Sequence, residues 1–263
     1  MSGYHETTDG RDVSRYITVA MRETAEGHIV GTAPASRHLL NVSGAMQTGA
    51  MLTLLDNVGG ICGGLASLPD GWVVTTNLAA RVVHRGPAVG PLRVDADVLR
   101  RGRNNVVVST TLRDDGRAGE LLADGVVTSA ILVPENGPPV AERPLAIGSS
   151  EAPRETLPSL AEWIGVRTID GRTIEIDLTE IHRNPWGILH GGVVTTLVDL
   201  AAEHATARAS SDVVLHFLAP NRVGPVRAVA ELLGARSDGE LTRIEVRDEG
   251  AGRVTAVALV TCC

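Results

Sequence analysis

The chain contains no lysine and few aromatic residues. All 24 basic side chains among the 263 residues are arginine, and there are three Trp, two Tyr and one Phe. Without lysine, Schiff-base chemistry on a lysine amine is excluded. So few aromatic side chains argue against a surface that stacks nucleic-acid bases, and a net charge of −7 argues against a polyanion held by bulk charge. We therefore expect no nucleic-acid partner.

Cysteine is also scarce, and its spacing fits neither a disulfide framework nor a zinc site. Cys262 and Cys263 are the last two residues, and Cys62 lies in an apolar segment. The histidines lack the Cys or carboxylate spacing of metal ligands. The first residues are polar without a signal-peptide pattern, and no apolar run reaches the expected length of a membrane span. The sequence thus predicts a cytoplasmic protein with no membrane partner and no bound metal.

Two segments of the chain repeat one pattern at a constant offset, since 184 minus 41 and 199 minus 56 both give 143. The second-half copy consists of Asn184, Gly187, His190, Gly191, Gly192 and Asp199. The first-half copy consists of Asn41, Gly44, Gln47, Thr48, Gly49 and Asp56. The chain is therefore a tandem repeat.

The same elements are predicted around both copies: a hairpin, a buried helix and four strands. The helices are expected over 48–67 and 192–209, because these segments are apolar around most of their circumference. The expected strands are 73–83, 92–99, 105–112 and 121–133, then 212–218, 226–233, 241–246 and 254–261. We predict an N-terminal domain over 1–137, a Pro-rich, Gly-rich and Ser-rich linker over 138–156, and a C-terminal domain over 157–263.

The glycine pair at the second helix start indicates carbonyl chemistry. Without side chains at Gly191 and Gly192, the unpaired N–H groups of the first turn can approach a ligand oxygen, where the helix dipole favours negative charge. A carboxylate in an apolar helix is costly unless it serves a polar site, which applies to Asp56 and Asp199. The nine positions from His190 to Asp199 span about 13 Å of helix, too far to share one substrate carbon. The carboxylate beside His190 must therefore come from elsewhere.

The second-half motif, with the apolar strand and Gly-Pro turn that follow it, resembles the hotdog-fold acyl-CoA thioesterases of the phenylacetate-degradation (PaaI-like) type. The resemblance covers the whole chain as a fused double hotdog. It implies an α+β fold of two tandem hotdog units, each a curved antiparallel sheet wrapped around a central helix, which together form a pseudo-dimer. The first half departs from the motif, with Gln47 and Thr48 in place of His190 and Gly191.

The resemblance also implies a site between the two units, with the His-Gly loop from one and the acid from the other. The first site would combine Asp56 as nucleophile or general base with Thr76, Asn184, His190 and Gly191. A mirrored second site would combine Asn41, Gln47, Thr48, Asp199 and Ser210. We expect the first site to be the principal one, although the second keeps a helix-start N–H at Thr48.

The implied function is hydrolysis of an acyl-CoA thioester, with coenzyme A as part of the substrate and no separate cofactor. Substrate-binding residues are expected to be Gly192, Arg81, Arg85, Arg101 and Arg103, the arginines for the phosphates; a solvated turn is an equal alternative for them. Two other functions stay open: a non-catalytic acyl-CoA binding protein, and a hotdog enoyl-CoA hydratase or dehydratase. The hydratase would need an Asp before Asn184, where the chain has Ile181-His182-Arg183. We expect a homodimer of double-hotdog chains.

Overall fold

The computed structural model describes residues 13–135, 137–148 and 156–263, so the predicted loose terminus over 1–12 lies outside it. The helices in this part of the chain are α1 Val13–Ile17, α2 Thr48–Ser67, α3 Leu160–Trp163 and α4 Gly191–Thr206. The strands of the first half are β1 Ala20–Ala25, β2 His28–Ala33, β3 Trp72–Val82, β4 Leu92–Arg101, β5 Asn105–Asp114 and β6 Glu120–Leu132. The later strands are β7 Ala146–Ile147, β8 Arg167–Asp170, β9 Thr173–Ile176, β10 Ser210–Phe217, β11 Val226–Arg236, β12 Gly239–Asp248 and β13 Arg253–Cys262.

All thirteen strands belong to one antiparallel sheet in the order β7-β1-β2-β4-β5-β6-β3-β10-β13-β12-β11-β9-β8. Strands β3 and β10 pair from Asp212 opposite Arg81 to His216 opposite Asn77, and this pair joins the halves. The predicted fold class, two hotdog units each with its own sheet around a central helix, is therefore wrong: the hydrogen bonds of the sheet run without interruption from one half into the other.

The predicted helices and strands agree with the structure better than the predicted fold does. Helix α2 has the predicted bounds, and the eight predicted strands appear to within three residues at each end. Helix α4 ends three residues early, because Ala207 takes a left-handed conformation and donates its N–H to the Glu203 carbonyl. The predicted linker contributes a strand, since Ile147 of β7 pairs with Met21 of β1.

The two long helices pack on the strands of their own halves and on each other. Helix α2 is long and apolar enough to cross a membrane by length and composition alone, contrary to the expectation that no segment would be, but 78% of its apolar window is buried inside the protein. A helix that is apolar on every side is typical of a protein core.

Small and hydroxylated residues form the crossing of α2 and α4. The Thr53 hydroxyl donates to the Gly49 carbonyl at 2.6 Å and approaches the Gly192 carbonyl across the junction at 3.0 Å. Thr196 donates to the same Gly192 carbonyl at 2.8 Å. A Cβ at Gly192 would overlap the Thr53 methyl group. Glycine therefore lets the helix backbones approach closely, and this brings the start of each helix to the middle of the other.

Candidate active site

His190 caps the start of α4. It lies before the first helical residue in an extended conformation, and its Nδ1 accepts the Gly192 N–H at 2.9 Å. Because Nδ1 accepts this bond, the neutral ring has its proton on Nε2. The cap satisfies one of the first-turn N–H groups, while the N–H of Gly191, the first helical residue, has no acceptor within the helix.

The Asp56 carboxylate of α2 lies directly against Gly191. A Cβ on Gly191 would overlap Asp56 Oδ2 and would lie 3.2 Å from the carboxyl carbon. The structure thus brings together an acid from the first half and a helix start from the second half. The catalytic roles of these residues stay predictions.

Asp56 is bound by Thr75 and not by Thr76, which corrects the predicted site. The Thr75 hydroxyl donates to Asp56 Oδ1 at 2.8 Å, whereas the Thr76 hydroxyl donates to the Thr128 carbonyl at 3.0 Å. Strand β3 is irregular between Thr75 and Asn77, so the extra residue shifts which side chains face the helix.

Asn184 and Asn41 brace their own loops. Asn184 Oδ1 accepts the Trp186 N–H at 3.0 Å, and Asn184 also lines the cavity beside Asp56. Asn41 Oδ1 accepts the N–H groups of Ser43 and Ala45, both at 3.0 Å. These are side-chain turns of the kind that asparagine favours, and in the second half the turn presents the segment that leads to His190.

Burial opposes the ionisation of Asp56. Loss of hydration raises the pKa of Asp56 above its ordinary value, while the electrostatic interaction with His190 and the hydrogen bond from Thr75 both lower that pKa and offset part of the rise. A carboxyl of raised pKa with two stabilising neighbours is the typical setting of a general base.

Two adjacent cavities open beside Asp56. The polar cavity, about 250 Å³, is lined by Asp56, Asn57, Gly60, Asn184, His190 and Gly191 among others. The apolar cavity, about 230 Å³, is lined by Leu132, Pro134, Val194, Leu218 and Pro220 among others. Both share Trp72, Trp186 and Phe217 in their walls, which are half of the aromatic residues of the chain. Sequence reasoning missed these three, because their separation along the chain gives no common motif.

The acid and the helix start of the mirrored site also lie together, but both are buried. Asp199 Oδ2 accepts the Gly49 N–H at 2.6 Å, and the Thr48 hydroxyl donates to the Ser210 carbonyl at 2.9 Å. Burial raises the pKa of Asp199 to about 6, although Ser210, the Gly49 N–H and Gln47 lower it. The Asp199 side chain is fully buried, whereas Asp56 is 6% exposed and reaches its cavity.

The predicted phosphate-binding arginines do not line either cavity. Arg81 pairs with Asp212, and Arg101 pairs with Asp70 at 2.6 Å; Arg85 donates to the Ser210 carbonyl, and Arg103 is exposed in the turn after β4. Predicted Gly192 is buried in the helix crossing. The cavities are lined instead by Arg183 and Arg222, and an Arg183 Nη donates to the Arg222 carbonyl at 3.2 Å. These two cations were not singled out in the sequence.

Within the described residues, no group of three or more His, Cys, Asp or Glu side chains is placed to hold a metal ion.

Comparison with protein-family models and with curated protein sequences gives no match. Comparison with solved structures gives matches over most of the chain. The 12:0-ACP thioesterase from Umbellularia californica is 11% identical with a TM-score of 0.62, over 89% of this chain and 93% of that one. An acyl-ACP thioesterase from Bacteroides thetaiotaomicron is 14% identical with a TM-score of 0.61, over 89% and 97%. The tesB protein from Mycobacterium avium subs paratuberculosis is 13% identical with a TM-score of 0.61, over 91% and 93%.

This chain shares its fold with these three proteins. At identities of 11 to 14%, the similarity shows the fold and not a shared activity or substrate. Within that fold, a helix start, a buried acid and a cavity meet around Asp56 and Gly191.

Proposed function

We propose that the protein hydrolyses acyl-CoA thioesters in the cavity that Asp56 and Gly191 both line. The observation that carries this proposal is the direct contact between the Asp56 carboxylate and the Gly191 backbone. The wall of this cavity therefore offers a thioester carbonyl both an N–H donor for its oxygen and a base for its attacker.

In this proposal the Gly191 N–H and the positive end of the α4 dipole hold the carbonyl oxygen. Asp56 takes a proton from water, whose oxygen bonds to the carbonyl carbon. The C–S bond then breaks, and the coenzyme A thiolate takes up the proton. Alternatively, an Asp56 oxygen attacks the carbon directly and the C–S bond breaks, releasing the coenzyme A thiolate. Water then hydrolyses the mixed anhydride to the free acid and the Asp56 carboxylate, and the proton released goes to the thiolate; this path uses the same contact.

The cavities suit an acyl group joined to a polar carrier. The apolar cavity offers Leu132, Val194 and Phe217 to hydrocarbon, while the polar cavity contains the acid and the helix start. Arg222 and Arg183 line the cavities; Arg183 pairs with Glu180 at 3.1 Å, so Arg222 supplies the positive charge for the phosphates of the carrier.

The test is thiol release from a panel of acyl-CoAs of different chain length and ring content, together with one acyl-ACP. We expect coenzyme A release from at least one acyl-CoA, and loss of this release on Asp56→Asn. Tight acyl-CoA binding without release would favour a binding protein instead. A change in the absorbance of an enoyl-CoA without thiol release would favour a hydratase.

A further inference from the structure

The two acids of the repeat have different access to solvent. Asp56 lines a cavity of about 250 Å³, while Asp199 is fully buried and its Oδ2 accepts the Gly49 N–H. In the first site the equivalent N–H, that of Gly192, is bound by His190 instead. The two halves therefore differ in the group that binds the N–H of this equivalent glycine, Asp199 for Gly49 and His190 for Gly192.

A glycine on α2 corresponds to a glutamate on α4. Gly60 lines the cavity, and a Cβ built on it meets no atom within 4 Å. The residue 143 positions later is Glu203, which is half-buried and close enough to Asp199 for the two charges to interact. Where the first half leaves open space beside its acid, the second half has a long side chain.

The two sites also differ at Arg85, which occupies the place equivalent to Asn221. The Met46 N–H donates to the Arg85 carbonyl at 3.0 Å, just as the Leu189 N–H donates to the Asn221 carbonyl at 3.1 Å. Asn221 is part of the wall of the apolar cavity. At the equivalent place, Arg85 extends to the start of β10 and donates to the Ser210 carbonyl.

We propose that the chain has a single substrate site, and that Arg85 and Glu203 fill the mirrored one and make it a charged cluster that holds the halves together. This inference rests on the proposed function of the Asp56 cavity. Thr48 and Arg85 of the first half both donate to the Ser210 carbonyl of the second half. The cluster therefore joins residues of the first half to a strand of the second half.

The electrostatics agree with a filled site. Burial and the nearby Asp199 raise the pKa of Glu203 to about 8, and the charge of Arg85 lowers it in part. The positive charge of Arg85 beside the two acids offsets part of their negative charge within the protein itself.

The first test is the stoichiometry with which a non-hydrolysable thioether analogue of the best acyl-CoA binds, measured by titration calorimetry on the full chain. One molecule bound per chain is the expected result. Two molecules per chain would overturn the single-site inference while leaving the proposed function intact. No binding would overturn both.

A matched pair of substitutions tests which residues fill the space. Gly60→Glu installs in the first site the side chain found in the mirrored one, and we expect kcat/KM to fall at least tenfold with loss of analogue binding. Glu203→Ala should keep kcat/KM within about twofold and one analogue bound per chain. Circular dichroism checks that both variants are folded. A loss of activity in Glu203→Ala, or full activity in folded Gly60→Glu, would contradict the inference.

Discussion

The charge state of Asp56 depends on burial, on the neighbouring His190 and on the hydroxyl of Thr75. Burial favours the neutral acid, and the Thr75 hydrogen bond at 2.8 Å favours the carboxylate. A general base must be ionised to take a proton from water, so activity should rise with pH through the raised pKa of Asp56. Thr75 is thus a positioning residue that acts through Asp56.

We expect Thr75→Val to move the acidic limb of the kcat/KM profile to higher pH, because loss of the Thr75 hydroxyl removes a hydrogen bond that lowers the pKa of Asp56. A hydrogen bond to a charged group contributes about 1.5–3 kcal/mol, so the rate on that limb should fall about ten- to a hundredfold. Thr76→Val is the matched control, since the Thr76 hydroxyl binds the Thr128 carbonyl. Equal shifts in both variants would contradict the assignment.

At this scale, the motif residues could be predicted and their partners could not. Gly191 and Asp56 follow from a repeat offset that the sequence displays. The choice of Thr75 over Thr76 depends on an extra residue in β3, matched by an irregularity between Ser210 and Asp212 in β10. A bulge reverses the side-chain alternation of a strand without a clear signal in its residues.

The crossing of α2 and α4 is the element that positions the site. Thr53 is fully buried and bonded to carbonyls of both helices, so it cannot move to admit a side chain at Gly192. Gly60 is on the same helix as Thr53, one to two turns further on, and faces open space. These two glycines therefore serve different purposes.

Gly192→Ala should lower the free energy of unfolding by about 1–3 kcal/mol, because the added methyl group overpacks the crossing. Gly60→Ala should leave stability unchanged or raise it by up to about 1 kcal/mol, since alanine favours helix and meets no neighbour there. Urea denaturation of the two variants gives both values. A stable Gly192→Ala chain would show that the helices do not depend on this close approach.

The helices could be predicted because their apolar residues continue around every face, and the end of α2 follows from the Pro69 turn. The end of α4 at Thr206 was harder to predict from the sequence, because the left-handed residue after it is Ala207 and not glycine. Glycine is the usual signal for this type of helix end.

For the whole molecule, the joined sheet makes the halves interdependent, and the charged cluster of Asp199, Glu203 and Arg85 lies at their junction. Cys262 of β13 also faces this cluster, where burial raises the pKa of its thiol. Acids of raised pKa bind protons more tightly in the folded chain than in the unfolded one. Their contribution to stability is complete below the ordinary carboxyl pKa and is lost as the pH rises through the raised values.

With a pKa of about 6, Asp199 has lost most of its contribution by pH 6, so above that pH the fall comes from Glu203, whose pKa is about 8. We expect the melting temperature to fall by a few degrees between pH 6 and 8.5, since about 1 kcal/mol shifts it by about 2–4 °C in a chain of this size. Glu203→Gln should flatten this dependence, and differential scanning calorimetry measures it. Identical slopes in the wild type and the variant would exclude Glu203 as its source.

The tandem repeat could be predicted at this scale, but the single sheet could not. Pairing of β3 with β10 joins segments more than 130 positions apart, for example Leu78 with Leu215, and both strands read as ordinary apolar strands of their own halves. Nothing in an isolated strand specifies which edge it will pair with. The homodimer and the cytoplasmic location stay predictions.

The most direct measurement is the kcat/KM of Asp56→Asn on the best acyl-CoA substrate, with Glu203→Gln as a control for loss of a buried acid elsewhere. Removing a general base or nucleophile should lower kcat/KM by about 10²- to 10⁴-fold, while the control stays within a few-fold of the wild type. A folded Asp56→Asn chain with wild-type activity would contradict the central claim that this acid, held against Gly191, performs the chemistry.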